Sequence, residues 1–141
     1  LADVLRLVDS TDLAPGAHAV DLGCGKGVCA VALAERGFSV LGVDGFQPFI
    51  EQARRRAELE KPDDRGVFWP GDFRAPLSGG LEFALATLIS VGPFAGDHAA
   101  TIGAIREAVR PGGWIVIATR VLTTGAPAKT IGMTAAAAAP L

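Results

Sequence analysis

Short runs of apolar residues alternate along this chain with segments whose apolar residues recur at helical spacing. The short runs predict five strands, because the buried strands of a parallel sheet are almost continuously apolar. The predicted strands are His18–Leu22, Ser39–Val43, Val67–Trp69, Phe83–Ile89 and Ile115–Val121. The predicted helices are Leu1–Val8, Gly25–Gly37, Gln47–Glu60 and Ala99–Val109. This alternation predicts an α/β domain with a parallel sheet and helices on its faces.

Polar and small residues mark the predicted helix ends. Asp97 is the predicted N-cap of the last helix, and Pro111–Gly113 would close it. Lys61-Pro62 would end the third helix. The second helix is expected to turn one apolar stripe inward, formed by Val28, Val31 and Ala32.

The length of 141 residues fits a single domain over residues 1–141. Its last part is expected to be irregular from about residue 123. The chain ends near a run of alanines at residues 135–139, and any helix or strand before it would be interrupted by Gly125, Pro127 and Gly132.

The amino-acid composition limits the kinds of partner and cellular location that are expected for this chain. Lys and Arg number 13 against 15 Asp and Glu, a net charge of −2, which disfavours a protein that binds nucleic acid mainly through phosphates. No uninterrupted apolar stretch reaches about 18 residues, so no membrane span is expected. The two cysteines, Cys24 and Cys29, have no second ligand pair nearby. They predict no metal site and no disulfide framework, and hence a cytoplasmic location.

A glycine-rich turn follows the first predicted strand. Asp21–Gly27 has the order Asp-Leu-Gly-Cys-Gly-Lys-Gly and runs from a strand into a helix. Glycine allows positive φ and close backbone approach to a ligand, and a helix N-terminus offers free N–H groups. Alone, such a turn is equally well explained as a tight connection.

Two acids lie at the ends of the next two strands. Asp44 follows the second strand and Asp72 follows the third, in Pro70–Phe73. An ionised aspartate can accept from both hydroxyls of a ribose or from an exocyclic amine. Because open parallel sheets bind ligands at the carboxyl ends of their strands, the glycine turn and the two acids together predict a site for ribose and adenine.

The glycine spacing bears on which nucleotide is bound. Dinucleotide sites favour G-x-G-x-x-G, whereas Val28 stands at the last position here and Gly27 makes the pattern G-x-G-x-G. Asp21, two residues before the first glycine, suits a ligand with an ammonium group better than a pyrophosphate. Lys26 is not followed by Ser or Thr, so a P-loop is excluded.

These segments resemble, in order, the motifs of the class I S-adenosylmethionine-dependent methyltransferases. Ala19–Gly27 is similar to their first motif, Leu41–Asp44 to the second and Gly71–Phe73 to the third. Leu81–Ser90 resembles their fourth strand, and Arg110–Ile115 the turn before the fifth. The resemblance implies a Rossmann-like, doubly wound, mostly parallel sheet of about five strands, and S-adenosylmethionine as cofactor.

The resemblance also implies roles for single residues. Asp21 would order the glycine turn and help to hold the methionine end, and Asp44 would bind the ribose hydroxyls. Asp72, with the Phe73 backbone, would bind adenine. The remaining implied contacts to the cofactor are Gly23, Cys24, Gly25, Gly27, Gly45 and Leu88.

The chain departs from the family pattern in two places. A C-terminal edge hairpin is expected to be missing, which predicts an exposed sheet edge through which chains could associate. Glu82 stands where the start of the fourth strand usually has Asp.

Methyl transfer from a sulfonium needs alignment more than acid–base help. Ser90–Phe94, after the fourth strand, would face the acceptor and lacks the Asn/Asp-Pro-Pro-aromatic cluster of amino-group methylating enzymes. His98 is the one candidate base, or else a solvated helix residue. Phe94 would line an acceptor pocket or belong to the core. The acceptor is expected to be a small molecule.

Two other functions stay open at this point. One is a truncated or non-catalytic module that binds the cofactor, since the chain begins at Leu1 and the edge hairpin is expected to be missing. The other is a nicotinamide-dependent oxidoreductase domain.

Overall fold

Helices and strands alternate along nearly the whole chain in a computed structural model that describes residues 1–60, 66–120 and 131–137. In chain order the elements are α1 (Ala2–Asp9), β1 (His18–Leu22), α2 (Val28–Glu35), β2 (Ser39–Asp44), α3 (Gln47–Glu60), β3 (Gly66–Pro70), α4 (Ala75–Ser78), β4 (Phe83–Ile89), α5 (His98–Arg106), β5 (Val109–Arg120) and β6 (Ile131–Ala137). The predictions for β1, α3 and β4 are confirmed to the residue. The four-residue α4 was not predicted.

The strands form one sheet in the order β3-β2-β1-β4-β5-β6. The first five are parallel, and β6 runs antiparallel to β5. The chain therefore winds outward from β1 in one direction and then from β4 in the other. This confirms the predicted doubly wound sheet, and it places a topological switch point between β1 and β4, where such sheets bind ligands.

The sheet carries a hydrophobic core on each face. On one face, Val4 of α1, Leu33 of α2 and Ile50 of α3 are buried together, and on the other Ile105 of α5 packs against Val20 and its neighbours. Each fully buried Leu, Ile or Val side chain contributes about 1.5–3 kcal/mol to folding. Opposite cores hold β1 and β4 rigid beneath the switch point.

The predicted inward stripe of α2 needs correction. Val31 and Ala32 are buried, but Val28, the first residue of the helix, is 46% exposed. The six residues 29–34 are all buried, because α2 lies against both the sheet and α3 and is apolar on every side. The prediction of one inward stripe assumed that α2 is a surface helix, which buries a single side, and α2 is not such a helix.

The predicted end of α5 was also wrong. The helix ends at Arg106 and β5 begins at Val109, so Pro111–Gly113 lies inside the span of β5. Val109 pairs with Phe83, and the register then shifts before Trp114 pairs with Leu85. Strand pairing therefore outweighs the helical spacing of Val109. The Asp97 N-cap is confirmed, since its side chain accepts from the Ala100 amide.

The expectation of an irregular tail with an open sheet edge is wrong for residues 131–137. This segment forms β6 along β5, from the pair Arg120–Ile131 to the pair Trp114–Ala137. Alanine and glycine have weak strand preference, so only the pairing with β5 reveals this strand. The edge of β5 is thereby covered, and β6 becomes the outer strand at this end of the sheet, so the predicted self-association stays a prediction. Lys61-Pro62, Val121, Gly125 and Pro127 lie outside the described residues.

Within the described ranges, no helix is both long enough and apolar enough to cross a membrane.

Candidate functional site

A cleft of about 390 Å³ opens at the carboxyl ends of the central strands. Its walls come from the loops after β1, β2, β3 and β4, and its lining residues are Gly23, Asp44, Gly45, Gly71, Asp72, Phe73, Arg74, Val91 and Phe94. A larger cavity of about 640 Å³ lies at the amino ends of the strands, around His18, Ser39 and Leu81. The first cleft is the candidate site, because it lies at the switch point and collects the predicted acids.

The glycine turn adopts the backbone conformation for which glycine was expected. Gly23, Gly25 and Gly27 have φ of +71°, +54° and +77°. The amides of Gly23 and Cys24 both donate to the Val43 carbonyl, at 2.8 and 2.9 Å. The turn is therefore fixed to the end of β2 by main-chain hydrogen bonds.

The three glycines differ in what surrounds them. A Cβ on Gly23 would lie 2.7 Å from Val91 Cγ2, and one on Gly27 would lie 2.7 Å from the Ala53 Cβ of α3. A Cβ on Gly25 would meet nothing within 4 Å. Gly27 therefore serves the packing of α2 on α3, whereas Gly25 adjoins open space.

Asp44 joins the glycine turn to the start of α3. Its Oδ2 accepts from the Gly25 amide and its Oδ1 from the Phe46 amide, both at 2.9 Å. Each oxygen keeps a further lone pair, and the half-buried side chain lines the cleft beside Gly45. This geometry leaves Asp44 able to accept from hydroxyl groups of a ligand.

Asp21 is buried beneath the turn, with 1% of its surface exposed. Its Oδ1 accepts from the Thr87 hydroxyl of β4 at 2.6 Å. Oδ2 is buried and forms no hydrogen bond of ordinary geometry among the described residues, although the Ala30 amide in the first turn of α2 lies near the carboxylate. Burial, with a smaller contribution from the charge of Asp44, raises the pKa of Asp21 to about 6 against the lowering effects of the Thr87 hydroxyl and the Ala30 amide. An ionised Asp21 thus requires a compensating cation or donor.

Asp72 forms an ion pair with Arg74 at the mouth of the cleft. Arg74 Nη2 lies 2.6 Å from Asp72 Oδ2, and Nε lies 2.9 Å from Oδ1. The side-chain hydrogen bond from Arg74, helped by its backbone amide, lowers the pKa of Asp72 to about 2. Sequence reasoning missed Arg74, although a base two residues after a strand-end acid is a usable signal.

The loop after β4 forms the opposite wall. The Phe94 ring meets the Phe73 ring edge to face, with centroids 5.3 Å apart. The amides of Phe94 and Ala95 donate to the buried Thr101 hydroxyl of α5, at 3.1 and 3.2 Å. Phe94 therefore lines the cleft in a fixed position, and Val91 beside it contacts the region of Gly23.

Six predicted site residues do not line the cleft: Asp21 and Gly25, whose positions are given above, and the four described next. Leu88 is buried in the core beside α5, and Gly27 in the contact between α2 and α3. Cys24 is buried, and burial raises the pKa of its thiol to about 12, which is far from that of a nucleophile. His98 is the exposed first residue of α5. Within the described part of the chain, no group of three or more His, Cys, Asp or Glu residues is placed to hold a metal ion.

A family model and several known proteins of similar sequence are named as methyltransferases. A family model described as a methyltransferase domain matches residues 19–113. The chain is 32% identical over 116 residues to the ubiquinone biosynthesis O-methyltransferase of Thiobacillus denitrificans, covering 82% of this chain and 49% of that protein. It is 33% identical over 129 residues to the ribosomal protein L11 methyltransferase of Thermus thermophilus, covering 92% and 48%. The chain spans about half the length of these relatives.

Solved structures agree with the sequence matches. A SAM-dependent methyltransferase from Thiobacillus denitrificans, in complex with S-adenosyl-L-homocysteine, superposes with a TM-score of 0.75 and 31% identity, over 87% of this chain and 51% of that chain. One from Geobacter sulfurreducens, in complex with the same compound, gives 0.73 and 29%, over 89% and 51%.

Proposed function

Because this chain belongs to the S-adenosylmethionine-dependent methyltransferase family, we propose that its cleft binds S-adenosylmethionine for methyl transfer to a small-molecule acceptor. The observation that carries the proposal is convergence. The glycine turn is hydrogen-bonded to Asp44, and Asp44 and Asp72 line the same cleft. Above the switch point lie an acid that would accept from the ribose, an acid that would accept from adenine, and a glycine backbone that a ligand could approach closely.

The residues at the methionine end fit a ligand that carries an ammonium group. In the described part of the chain, Asp21 Oδ2 is a buried acceptor that forms no hydrogen bond, directly beneath a turn that ends at the N-terminus of α2. An ammonium group, directly or through a bridging water, would supply the missing donor. The free N–H groups at the start of α2 suit the carboxylate of the same amino acid.

The ribose and adenine ends fit as well. Asp44 would accept from the ribose hydroxyls while it continues to hold the Gly25 amide. Asp72 would accept from the adenine amine, and Arg74 already holds its carboxylate ionised and oriented. Phe73 and Phe94 would give the ligand an apolar wall.

The charges in the cleft match the proposed cofactor. Asp44 and Asp72 against Arg74 leave the lining with one net negative charge, and Asp21 lies beneath it. S-adenosylmethionine has two cationic groups and one carboxylate, so it is a net cation that this surface attracts.

When bound, the cofactor supplies a methyl group that is activated by a positively charged sulfur. The work of the chain is then to align and to exclude water. Gly23 and Val91 are in near contact, so the turn and the loop after β4 close one side of the site. Alignment supplies most of this step, and the proton that a hydroxyl, amine or thiol acceptor gives up would pass to solvent, because His98 at the start of α5 does not line the cleft.

The small-molecule acceptor is proposed from the chain's own chemistry. Val91, Phe73 and Phe94 make one end of the cleft apolar, and Arg74 is the only basic residue among those that line it. Nucleic-acid recognition would call for a basic surface around the cleft. The relatives described above are named for different acceptors and do not decide this point.

Titration calorimetry with S-adenosylmethionine and S-adenosylhomocysteine tests the proposal. We expect both to bind and NADH not to bind. Asp44→Ala should weaken binding by about 1–3 kcal/mol, because a charged acceptor is lost. Asp12→Ala, which removes an exposed acid away from the cleft, is the matched control and should leave the dissociation constant unchanged.

A folded sample that binds neither compound would overturn the cofactor assignment. Binding of NADH alone would favour an oxidoreductase instead. Turnover of a panel of phenols, amines and thiols by this chain would distinguish an active enzyme from a module that binds the cofactor without catalysis.

A further inference from the structure

We propose that Thr87 is a positioning residue for cofactor binding: its buried hydroxyl engages one oxygen of Asp21 and leaves the other as the acceptor for the ligand's ammonium group. This inference rests on the proposed function and extends it to a residue in the middle of β4. Thr87 does not line the cleft, and its hydroxyl is bonded to Asp21.

The geometry is specific. Asp21 of β1 and Thr87 of β4 are directly paired across the parallel sheet. Thr87 Oγ1 lies 2.6 Å from Asp21 Oδ1 and 3.4 Å from the Val20 carbonyl. A hydroxyl has one proton to donate, so the shorter contact to the carboxylate takes it.

A hydroxyl at this place in β4 calls for an explanation. Thr87 is fully buried in a strand that is otherwise apolar, and its partner on β5 is Val116. Valine has nearly the same shape and would pack here without burying a polar group. A buried hydroxyl is costly unless it is bonded, so the bond to Asp21 accounts for the threonine.

The bond also makes the two oxygens of Asp21 unequal. Oδ1 is occupied and fixed in direction, whereas Oδ2 is buried without a partner among the described residues. Without the hydroxyl the carboxylate would lose its one side-chain donor among the described residues and could rotate, with only the Ala30 amide of α2 left near it. Thr87 therefore defines which oxygen remains for a ligand.

Thr87 further favours the ionised form of Asp21. The titratable groups that face Asp21 are Asp44 from β2, Cys24 from the glycine turn and Cys29 from α2. Burial keeps both thiols protonated at neutral pH, and Asp44 disfavours a second negative charge. From β4, the Thr87 hydroxyl lowers the pKa of Asp21 against these effects.

The consequence is a pH dependence confined to the amino-acid end of the ligand. An ammonium group gains from an ionised Asp21, so affinity should fall as the pH decreases through about 6. Removing the hydroxyl should raise the pKa of Asp21 further and move the midpoint upward. A ligand without the amino-acid end should show neither effect.

The experiment measures binding of S-adenosylhomocysteine by calorimetry between about pH 5 and 7.5, for the unmodified chain, Thr87→Val and Thr87→Ser. For Thr87→Val we expect the midpoint to rise by about one pH unit, the scale of one hydrogen bond to a charged group. Thr87→Ser should restore the original profile. 5′-Methylthioadenosine, which lacks the ammonium group, should bind with the same pH profile in all three.

The possible results distinguish a failure of the proposed function from a failure of the role proposed for Thr87. No binding of S-adenosylhomocysteine by the folded, unmodified chain would overturn the proposed function and this inference together. Binding with superposable profiles for unmodified chain and Thr87→Val would overturn only the role of Thr87. An equal shift for 5′-methylthioadenosine would show a general structural effect and would also overturn it. If Thr87→Val does not fold, Thr87→Cys keeps only a weak donor and must give a midpoint above that of the unmodified chain and of Thr87→Ser; an unchanged midpoint would overturn the role of Thr87.

Discussion

Two carboxylates of the site have pKa values that their surroundings shift in opposite directions. Burial raises the pKa of Asp21 to about 6, while Arg74 lowers the pKa of exposed Asp72 to about 2. The first carboxylate is costly to the fold and gains from a cation, whereas the second is already neutralised by one. Their substitution should therefore have opposite consequences for stability and binding.

Asp21→Asn should stabilise the fold while it weakens cofactor binding. The pKa of Asp21 is raised from 3.8 to about 6 on folding, so the unfolded chain ionises first and the native state loses stability as the pH rises between these values. The variant lacks this loss. Its gain in unfolding free energy should be small at pH 4 and about 1–3 kcal/mol at pH 7.5.

Urea denaturation over this pH range measures the gain. Asp12→Asn, at an exposed acid, is the control and should give a difference that does not vary with pH. A pH-independent difference for Asp21→Asn would contradict the raised pKa.

Arg74→Gln should shift the preference of the cleft toward the charged form of the cofactor. It removes a cation from the lining and frees the charge of Asp72. The sulfonium of S-adenosylmethionine should benefit, whereas uncharged sulfur in S-adenosylhomocysteine should not. The ratio of the two dissociation constants should change by roughly two- to threefold in favour of S-adenosylmethionine, and less at high salt.

Calorimetry with both ligands at low and high salt checks this ratio. Arg55→Gln makes the same change of charge on an exposed face of α3 and should leave the ratio unaltered. A change of equal size for both variants would mean that net charge alone is responsible.

At the level of elements, the glycine turn is held from three sides. Main-chain bonds fix it to β2, Asp44 fixes it to the start of α3, and Arg56 of α3 donates to the Lys26 carbonyl at 3.2 Å. Close packing fixes its far end, because Gly27 leaves no space before Ala53. The turn therefore behaves as a part of the α2–α3 layer and not as a free loop.

Gly27→Ala should destabilise the protein more than its backbone conformation alone would. The left-handed conformation costs an alanine about 1–2 kcal/mol, and the new Cβ would lie 2.7 Å from the Ala53 Cβ. We expect a total loss of about 2–5 kcal/mol in thermal denaturation. Gly16→Ala is the matched control, since Gly16 has φ of +87° and open space around it. Equal losses would show that packing at Gly27 is unimportant.

Seen as a whole molecule, the parallel sheet and the strand-end site were predictable because their signals are local. Each buried strand is a short apolar run, and each acid follows one directly. Two features were not predictable. β6 depends on pairing with β5 and not on its own alanine-rich sequence, and the Thr87–Asp21 bond joins positions 66 residues apart. Both depend on which strands become neighbours, which a linear pattern does not encode.

Above the pairing of β1 with β4, the two halves of the chain also meet at the switch point. Gly23 follows the first strand of one half and Val91 follows the first strand of the other, and a Cβ on Gly23 would overlap Val91 Cγ2 at 2.7 Å. The wall that would contact the methyl donor and the wall that would contact the acceptor therefore meet at this point. A bulkier side chain at position 91 would press on the backbone of the glycine turn, so a change that reshapes the proposed acceptor side there would also be felt at the proposed donor side.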